Sequence, residues 1–318
     1  MFDETQITAE SWQALPDMPI EKWEAATFLL DDRLYVLGGY TTRVRTSRTA
    51  HYFDAADESW TRIQDLPSAI SHVNVVLDGR VAWYAGGFKD GYKDHIVAEV
   101  WNYDVDLDGP VERGRFTAGP LLPEKRGGGG LALFDRNLHF FSGLKDDRDT
   151  DAAEHWVMDL DEYAAGVARW RDASPVPVPR NQFSTVQRGG KFYLIGGQFH
   201  HDSCQLDQAR VDLYDPATDT WHESEPLPYG HSHSEGSTFV HDDLIYMIGG
   251  HFTPADGHKR IDRDILRCGQ DGEWKVIGKL PVALSSPASR IIDGKLYVAG
   301  GSLDGGSVQP KVWVTRAP

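Results

Sequence analysis

The chain has 318 residues, 25% of them charged, with 32 Lys plus Arg against 48 Asp plus Glu and a formal net charge of -16 at pH 7. That acidic balance argues against a nucleic-acid or anionic-membrane partner, because neutralising phosphate needs a basic face. Two Cys, at positions 204 and 268, make neither a disulfide framework nor a Cys-based zinc site, and no apolar run approaches the ~20 residues that span a bilayer.

At the N-terminus, Met1 is followed by Phe-Asp-Glu-Thr-Gln, which has neither a basic nor an apolar signal region. The expected location is cytoplasmic, or periplasmic or secreted where a leader has been removed. From there a repeat governs the chain. Apolar runs ending in a Gly pair recur as LYVLGG (34–39), AWYAGG (82–87), FYLIGG (192–197), IYMIGG (245–250) and LYVAGG (296–301), with LHFFSG (138–143) carrying Ser142 in place of the first Gly. Their second glycines are 48, 56, 54, 53 and 51 residues apart. A second mark keeps register with the first. Trp60, Phe116, Trp170, Trp221 and Trp274 are each followed, six residues on, by an apolar residue and then Pro, and Trp12 obeys the same rule with Met18-Pro19.

The N-terminal copy of this mark has no Gly pair before it, and the last Gly pair has no Trp after it. The first ~14 residues are therefore expected to supply the missing strand of the last repeat and close a ring. Between the marks, β-branched and aromatic runs are broken by turn signals such as Asp78-Gly79 and Asp293-Gly294, so each repeat holds about four strands, here a to d. Four strands cannot bury both faces alone, and four-stranded sheets packed radially make a propeller.

The pattern resembles the Kelch family, whose repeat has the Gly pair, a Tyr-Asp ending the third strand and a Trp opening the fourth. The best copy here is Val211-Asp-Leu-Tyr-Asp-Pro-Ala-Thr-Asp-Thr-Trp221, while Ser142, Phe116 and Arg267-Cys268 depart from the pattern. The resemblance implies an all-β, six-bladed Kelch-type β-propeller. Its expected blades are 23–64, 70–118, 126–173, 180–224, 233–277 and 284–316 plus 8–14, forming one domain over 1–318. The family includes protein scaffolds, substrate receptors, sugar mutarotases, specifier proteins and copper oxidases, so it does not fix the chemistry.

If the strands zigzag outward, the d–a and b–c connections share one face, and these are the longer, chemically richer loops. Sixteen residues before the first position of each Gly pair stand Lys22, Ile70, Arg126, Arg180, His233 and Leu284; fourteen before stand Glu24, His72, Gly128, Gln182, Glu235 and Ser286. Both sets are expected to ring the mouth of the central channel. Arg126 and Arg180 with Glu24, His72, Gln182 and Ser286 would hold a small anionic or polyhydroxylated ligand. In a catalytic reading Glu235 pairs with His233 for proton transfer while Arg126 or Arg180 clamps a carboxylate.

Of 13 His, eight fall within 198–260. In an extended Gly230–Gly236, two imidazoles two residues apart are ~6.7 Å apart and reach one ion. His200, His201, His231, His233 and His251 are accordingly the candidate metal ligands, an N/O set suited to Zn, Fe, Ni or Cu. The sequence names no cofactor outright. Ordinary polar loop histidines explain the same residues.

Asp147-x3-Asp151-x3-His155 resembles the Glu-x3-Asp-x3-His iron motif of plant specifier proteins, and Cys204 near His200 bears on a copper–radical reading. Gly127–Gly130 reads as tight packing of an inner strand, not a phosphate loop. The expected function is a binding module taking a small molecule or a protein on its b–c/d–a loop face. The alternatives are an enzyme resembling Kelch-type sialate mutarotases or epimerases or metal-dependent specifier proteins, and a protein-interaction scaffold.

Overall fold

The computed structural model describes residues 7–43, 45–89, 95–106, 115–201, 206–253, 256 and 258–318. Cys204 lies outside them. Each repeat forms an antiparallel sheet of four strands, and among the described residues there are six such sheets. In the first, strands a to d are Ala26–Leu30, Arg33–Leu37, Ala50–Asp54 and Ser59–Ile63. In the last, Ala288–Ile292, Lys295–Ala299 and Val312–Arg316 are completed by Gln13–Leu15 from the N-terminal segment, with Ala14 opposite Trp313. The innermost strands Ala26–Leu30, Val75–Asp78, Gly130–Phe134, Ser184–Arg188, Thr238–His241 and Ala288–Ile292 touch in cyclic order, the last meeting the first. This is the expected all-β propeller.

The Gly pair is explained by what lies next to it. Gly38 has φ 63°, and a Cβ there would sit 2.6 Å from Ile70 O in the following repeat. The second glycine then donates its N–H to that same carbonyl: Gly39 to Ile70 O at 2.8 Å, Gly87 to Arg126 O at 2.8 Å, Gly143 to Arg180 O at 3.1 Å, Gly197 to His231 O at 2.8 Å and Gly250 to Leu284 O at 2.7 Å. Gly301 donates to Lys22 O at 2.7 Å and so joins the last repeat to the first. Ser142 keeps the left-handed backbone (φ 53°), its Oγ donating to Ala152 O or Arg180 O (2.7 and 2.8 Å) and accepting from Arg180 N at 3.0 Å.

The apolar core is divided among the six interfaces between sheets. Phe28, Tyr35, Tyr84 and Tyr103 fill the first; Phe239, Ile248, Leu284 and Val298 fill the fifth; Leu15, Leu34, Phe53 and Tyr297 fill the one that closes the ring. The strand-d tryptophans wedge between sheets. Trp170 Nε1 donates to Pro120 O at 3.0 Å, Trp221 Nε1 to Ser174 O at 2.9 Å and Trp12 Nε1 to Lys279 O at 3.0 Å, each acceptor belonging to the preceding repeat. Cys268 is buried in the fourth interface with Trp274. A five-residue helix, Leu160–Ala164, capped by Asp159, is the one α-helix among the described residues, and no helix there is long and apolar enough to cross a membrane.

Two outcomes follow from this packing. Gly38→Ala forces both a left-handed Ala and a backbone clash, whereas Gly79 (φ 59°) has nothing within 4 Å of a built Cβ. Urea unfolding should therefore find Gly79→Ala costing about 1 kcal/mol and Gly38→Ala clearly more. The second concerns acid. His139 and His155 are buried at the third interface, with His139 Nδ1 2.9 Å from His155 Nε2. Burial pulls them from 6.5 down to about 3 and about 4 respectively. The unfolded chain takes up these protons near pH 6.5 while the folded one does not, so stability is lost as pH falls from there, by up to ~1.4 kcal/mol per pH unit for each histidine. Thermal scans between pH 7 and pH 5 should show Tm falling steadily.

Candidate functional site

Two residues beyond the carbonyl that receives the glycine N–H, each chain segment turns into the left-handed region. Glu24, His72, Gly128, Gln182, His233 and Ser286 have φ of 51°, 56°, 59°, 55°, 58° and 44°. Their backbones form a belt round the channel axis: His72 N donates to Glu24 O at 3.3 Å, Gln182 N to Gly128 O at 2.8 Å, His233 N to Gln182 O at 3.3 Å, Ser286 N to His233 O at 3.1 Å and Glu24 N to Ser286 O at 3.4 Å. Five non-glycine residues held in this conformation each carry a backbone cost of about 1 kcal/mol or more, and such strain clusters at functional sites.

Across this belt three side chains meet. Glu24 Oε2 lies 2.8 Å from His72 Nε2 and Glu24 Oε1 lies 3.8 Å from His233 Nε2, although the two histidines sit on opposite sides of the ring. One carboxylate oxygen and one nitrogen from each histidine all fall within 4.8 Å of one another. The serine preceding each histidine orients it: Ser71 Oγ is 2.9 Å from His72 Nδ1 and Ser232 Oγ is 2.7 Å from His233 Nδ1. Ser232 gives its proton to Asp207 Oδ1 at 2.7 Å, so it accepts from Nδ1–H of His233 and leaves the Nε2 lone pair facing Glu24. Burial opposes the charge on Asp207, but Lys259 Nζ at 3.1 Å, Thr253 and Ser232 hold it below the usual carboxylate range. His233 is pushed well below 6.5 by burial first, then by His251, Lys259 and His72, and is therefore neutral.

The wall around the cluster is aromatic. His251 packs against His233 with ring centroids 4.1 Å apart and tilted by 36°, neither of its ring nitrogens is hydrogen-bonded, and burial lowers it to about 3. Tyr40 meets His72 edge-on at 5.7 Å, Phe88 lies 4.7 Å from the same ring, and His201 stacks on Phe88 at 5.3 Å. Glu235 faces the same space; burial raises it to about 7, helped by Glu24 and opposed by His72, and its Oε1 has no partner. Gln182, 1% exposed, has both amide atoms unpartnered. Ser286 Oγ donates to His233 O at 2.9 Å.

Counting back from the Gly pair places one set correctly and misreads the other. Lys22, Arg126 and Arg180 do not face the channel; they lie between sheets. Arg180, fully buried, binds Asp212 Oδ2 at 2.7 Å and the carbonyls of Gly196, Leu194 and Val178. Arg126 lies over Trp156 and reaches Glu124 and Glu154, both at 3.0 Å. Lys22 donates to Gly38 O and Thr49 O, and burial lowers it to about 7. The partners of all three are carboxylates and backbone carbonyls of the sheets. In the fifth repeat the count slips by two, because residues Glu235–Ser237 form an inserted 3-10 turn. His231 takes the inter-sheet position, Nε2 3.3 Å from Asp262, and His233 takes the belt position that counting assigned to Glu235.

Of the five histidines expected to gather round an ion, the three-ligand cluster contains only His233; its other members, Glu24 and His72, stood in the ligand set. His200 is half-exposed beside Asp149, outside the cluster. The specifier-like triplet is dispersed: Asp147 caps Thr150 at the surface, Asp151 binds Asn181, and His155 is core. Tyr40, Phe88, Asp207 and Lys259 went unrecognised. Tyr40, Phe88 and His251 each directly follow a Gly pair, a signal open to counting forward; Asp207 and Lys259 carry none.

The Kelch motif model matches residues 179–228. The chain is 23% identical to a Kelch repeat-containing protein of Arabidopsis thaliana over 94% of its own length and 73% of that protein's. It is 32% identical to Kelch-like protein 40 of Mus musculus over 44% of this chain and 21% of that one. The solved structure of YjhT superposes with a TM-score of 0.76 at 15% identity, covering 94% of this chain and 95% of the other. With its repeat marks, its ring of four-stranded sheets and these relatives, the chain is a Kelch-repeat protein with the β-propeller fold.

Proposed function

We propose that this propeller is a binding module whose ligand site is the axial cluster of Glu24, His72 and His233, and that the ligand taken there is a divalent transition-metal cation such as Zn. The observation that carries the reading is the convergence of one carboxylate oxygen and two imidazole nitrogens within 4.8 Å. Three protein donors with a fourth position open is the arrangement of sites that bind an exchangeable ligand. The chain Asp207–Ser232–His233 is the kind of outer support that fixes a ligating histidine's tautomer. His251, its ring packed against His233, and Gln182, with its amide unpartnered, border the position that a metal-bound small molecule or a partner's side chain would occupy.

Protein purified without a His-tag, stripped and titrated with Zn, should bind one equivalent, measured by elemental analysis and competition with a chromophoric chelator. His72→Ala and His233→Ala should each weaken binding by more than about 100-fold, and Ser232→Ala by about 10- to 100-fold through the outer support. Failure of wild-type protein to take up metal, or equal uptake by the His72→Ala/His233→Ala double variant, would refute the site.

One observation favours a second reading, a metal-free proton-transfer enzyme of the sugar-mutarotase kind. Glu235, raised to about 7 by burial beside Glu24 and His72, suits a group that both gives and takes a proton at neutral pH. On that reading, metal-stripped protein should accelerate the change in optical rotation of a freshly dissolved reducing sugar acid, and Glu235→Gln should abolish the acceleration. On the metal reading there is no acceleration.

A further inference from the structure

We infer that the opposite end of the central channel is a second ligand site, for a small amphipathic carboxylate whose head group is held by Arg290. On the side of the a–b turns the channel opens into a cavity of about 440 Å³. Every innermost strand contributes an apolar residue to its wall: Phe28, Val76, Leu131, Val186, Phe239 and Ile291. Thr185, Gln187, Thr238, His241 and Arg290 are its polar elements. A cavity of this size, walled mainly by apolar residues with a few fixed polar groups, is the usual form of a small-molecule site.

Arg290 is the feature that selects the ligand. Its Nη1 donates to Gly236 O at 2.9 Å and Ser289 O at 2.6 Å, and its Nη2 donates to Thr27 O at 2.9 Å. The guanidinium is thereby fixed across three adjoining segments, 5.5 Å from the centre of the Phe239 ring. All three acceptors are neutral carbonyls, and among the described residues no carboxylate lies within 4.0 Å of it. Arg126 and Arg180, fully buried between sheets, each hold a carboxylate. Three of the five N–H groups are used, leaving Nε–H and one on Nη2 to meet an acceptor from the cavity. A buried cation without a counter-ion is costly, and a bidentate carboxylate is the partner whose geometry matches a guanidinium.

The other titratable group on the cavity wall is His241, whose Nε2 lies 3.5 Å from Asp242 Oδ2, so no fixed anion of the wall competes for Arg290. Burial alone lowers Arg290, to about 10, which leaves it charged at neutral pH. In the same wall Thr185 Oγ1 has no hydrogen-bond partner and offers a second contact. The apolar remainder of the cavity suits the body of the ligand, which sets an aliphatic or aromatic acid apart from phosphate or sulfate.

Octanoate and its neutral isostere octanamide serve as probes, titrated calorimetrically into metal-stripped wild-type protein so that the outcome is independent of the Glu24–His72–His233 cluster. Octanoate should bind at least about tenfold more tightly than octanamide, the discrimination of one charge-assisted bidentate pair. Arg290→Gln should erase that preference and leave octanamide binding unchanged. Because Arg290 also ties strands together, a measurement on wild-type protein stands beside the variant: octanoate should raise Tm, and inorganic phosphate should not. No binding of octanoate, equal binding of the two probes, an equal Tm rise with phosphate, or an undiminished preference in a folded Arg290→Gln protein would each overturn the assignment.

Discussion

The hydrogen bond from the second glycine of each pair to a carbonyl of the next repeat is the constraint on which the rest of this molecule depends. It is short, it recurs six times, and it requires a residue without a Cβ at the position before it, or a serine that turns its hydroxyl to the same task. Because the donor sits at the end of strand b and the acceptor leads into the next strand a, the bond fixes the angle between neighbouring sheets at the point nearest the axis. The hydrophobic interfaces then fill outward from that fixed point. The Gly301 to Lys22 bond and the pairing of Gln13–Leu15 with Val312–Arg316 do for the last interface what chain connectivity does for the other five.

From the same carbonyl the chain reaches the axis in two residues, and those two steps divide the polar side chains by task. At the carbonyl itself, Lys22, Arg126, Arg180 and His231 are sealed between sheets, where their partners are carbonyls or carboxylates. Two residues on, after the turn into positive φ, Glu24, His72, Gln182 and His233 project where no sheet can satisfy them. Burying a charge between sheets demands partners, and Lys22, Arg126 and Arg180 find theirs there. On the axis the partners come from across the channel instead, which is why Glu24 meets histidines from the second and fifth repeats.

The fold was legible because its signals are local and repeated: the glycines answer to one contact, and the strand-d Trp to one wedge. The ring residues were half legible. Spacing from the Gly pair found Glu24, His72, Gln182 and Ser286 at their true places, since nothing is inserted between them and the glycines in those repeats. It misassigned His233 and Glu235 because a 3-10 turn absorbs two extra residues there, and an insertion of that size leaves no mark in composition. It could not separate side chains facing the axis from side chains buried between sheets, because that choice is made by a change of backbone handedness that His, Gln and Glu do not advertise. Asp207 and Lys259 reach the site through loop hairpins whose path depends on tertiary packing alone.

The two extra residues in the fifth repeat have a consequence for how any ligand would be oriented. Six equivalent blades would present an axial guest with six indistinguishable ways to sit. The inserted turn breaks that degeneracy at one sector: it brings Glu235 toward the axis, supplies Gly236 O as an acceptor for Arg290 on one side, and leaves His233 on the other. A ring assembled from near-copies thus acquires a single reference direction, set by a departure from the repeat and not by the repeat itself.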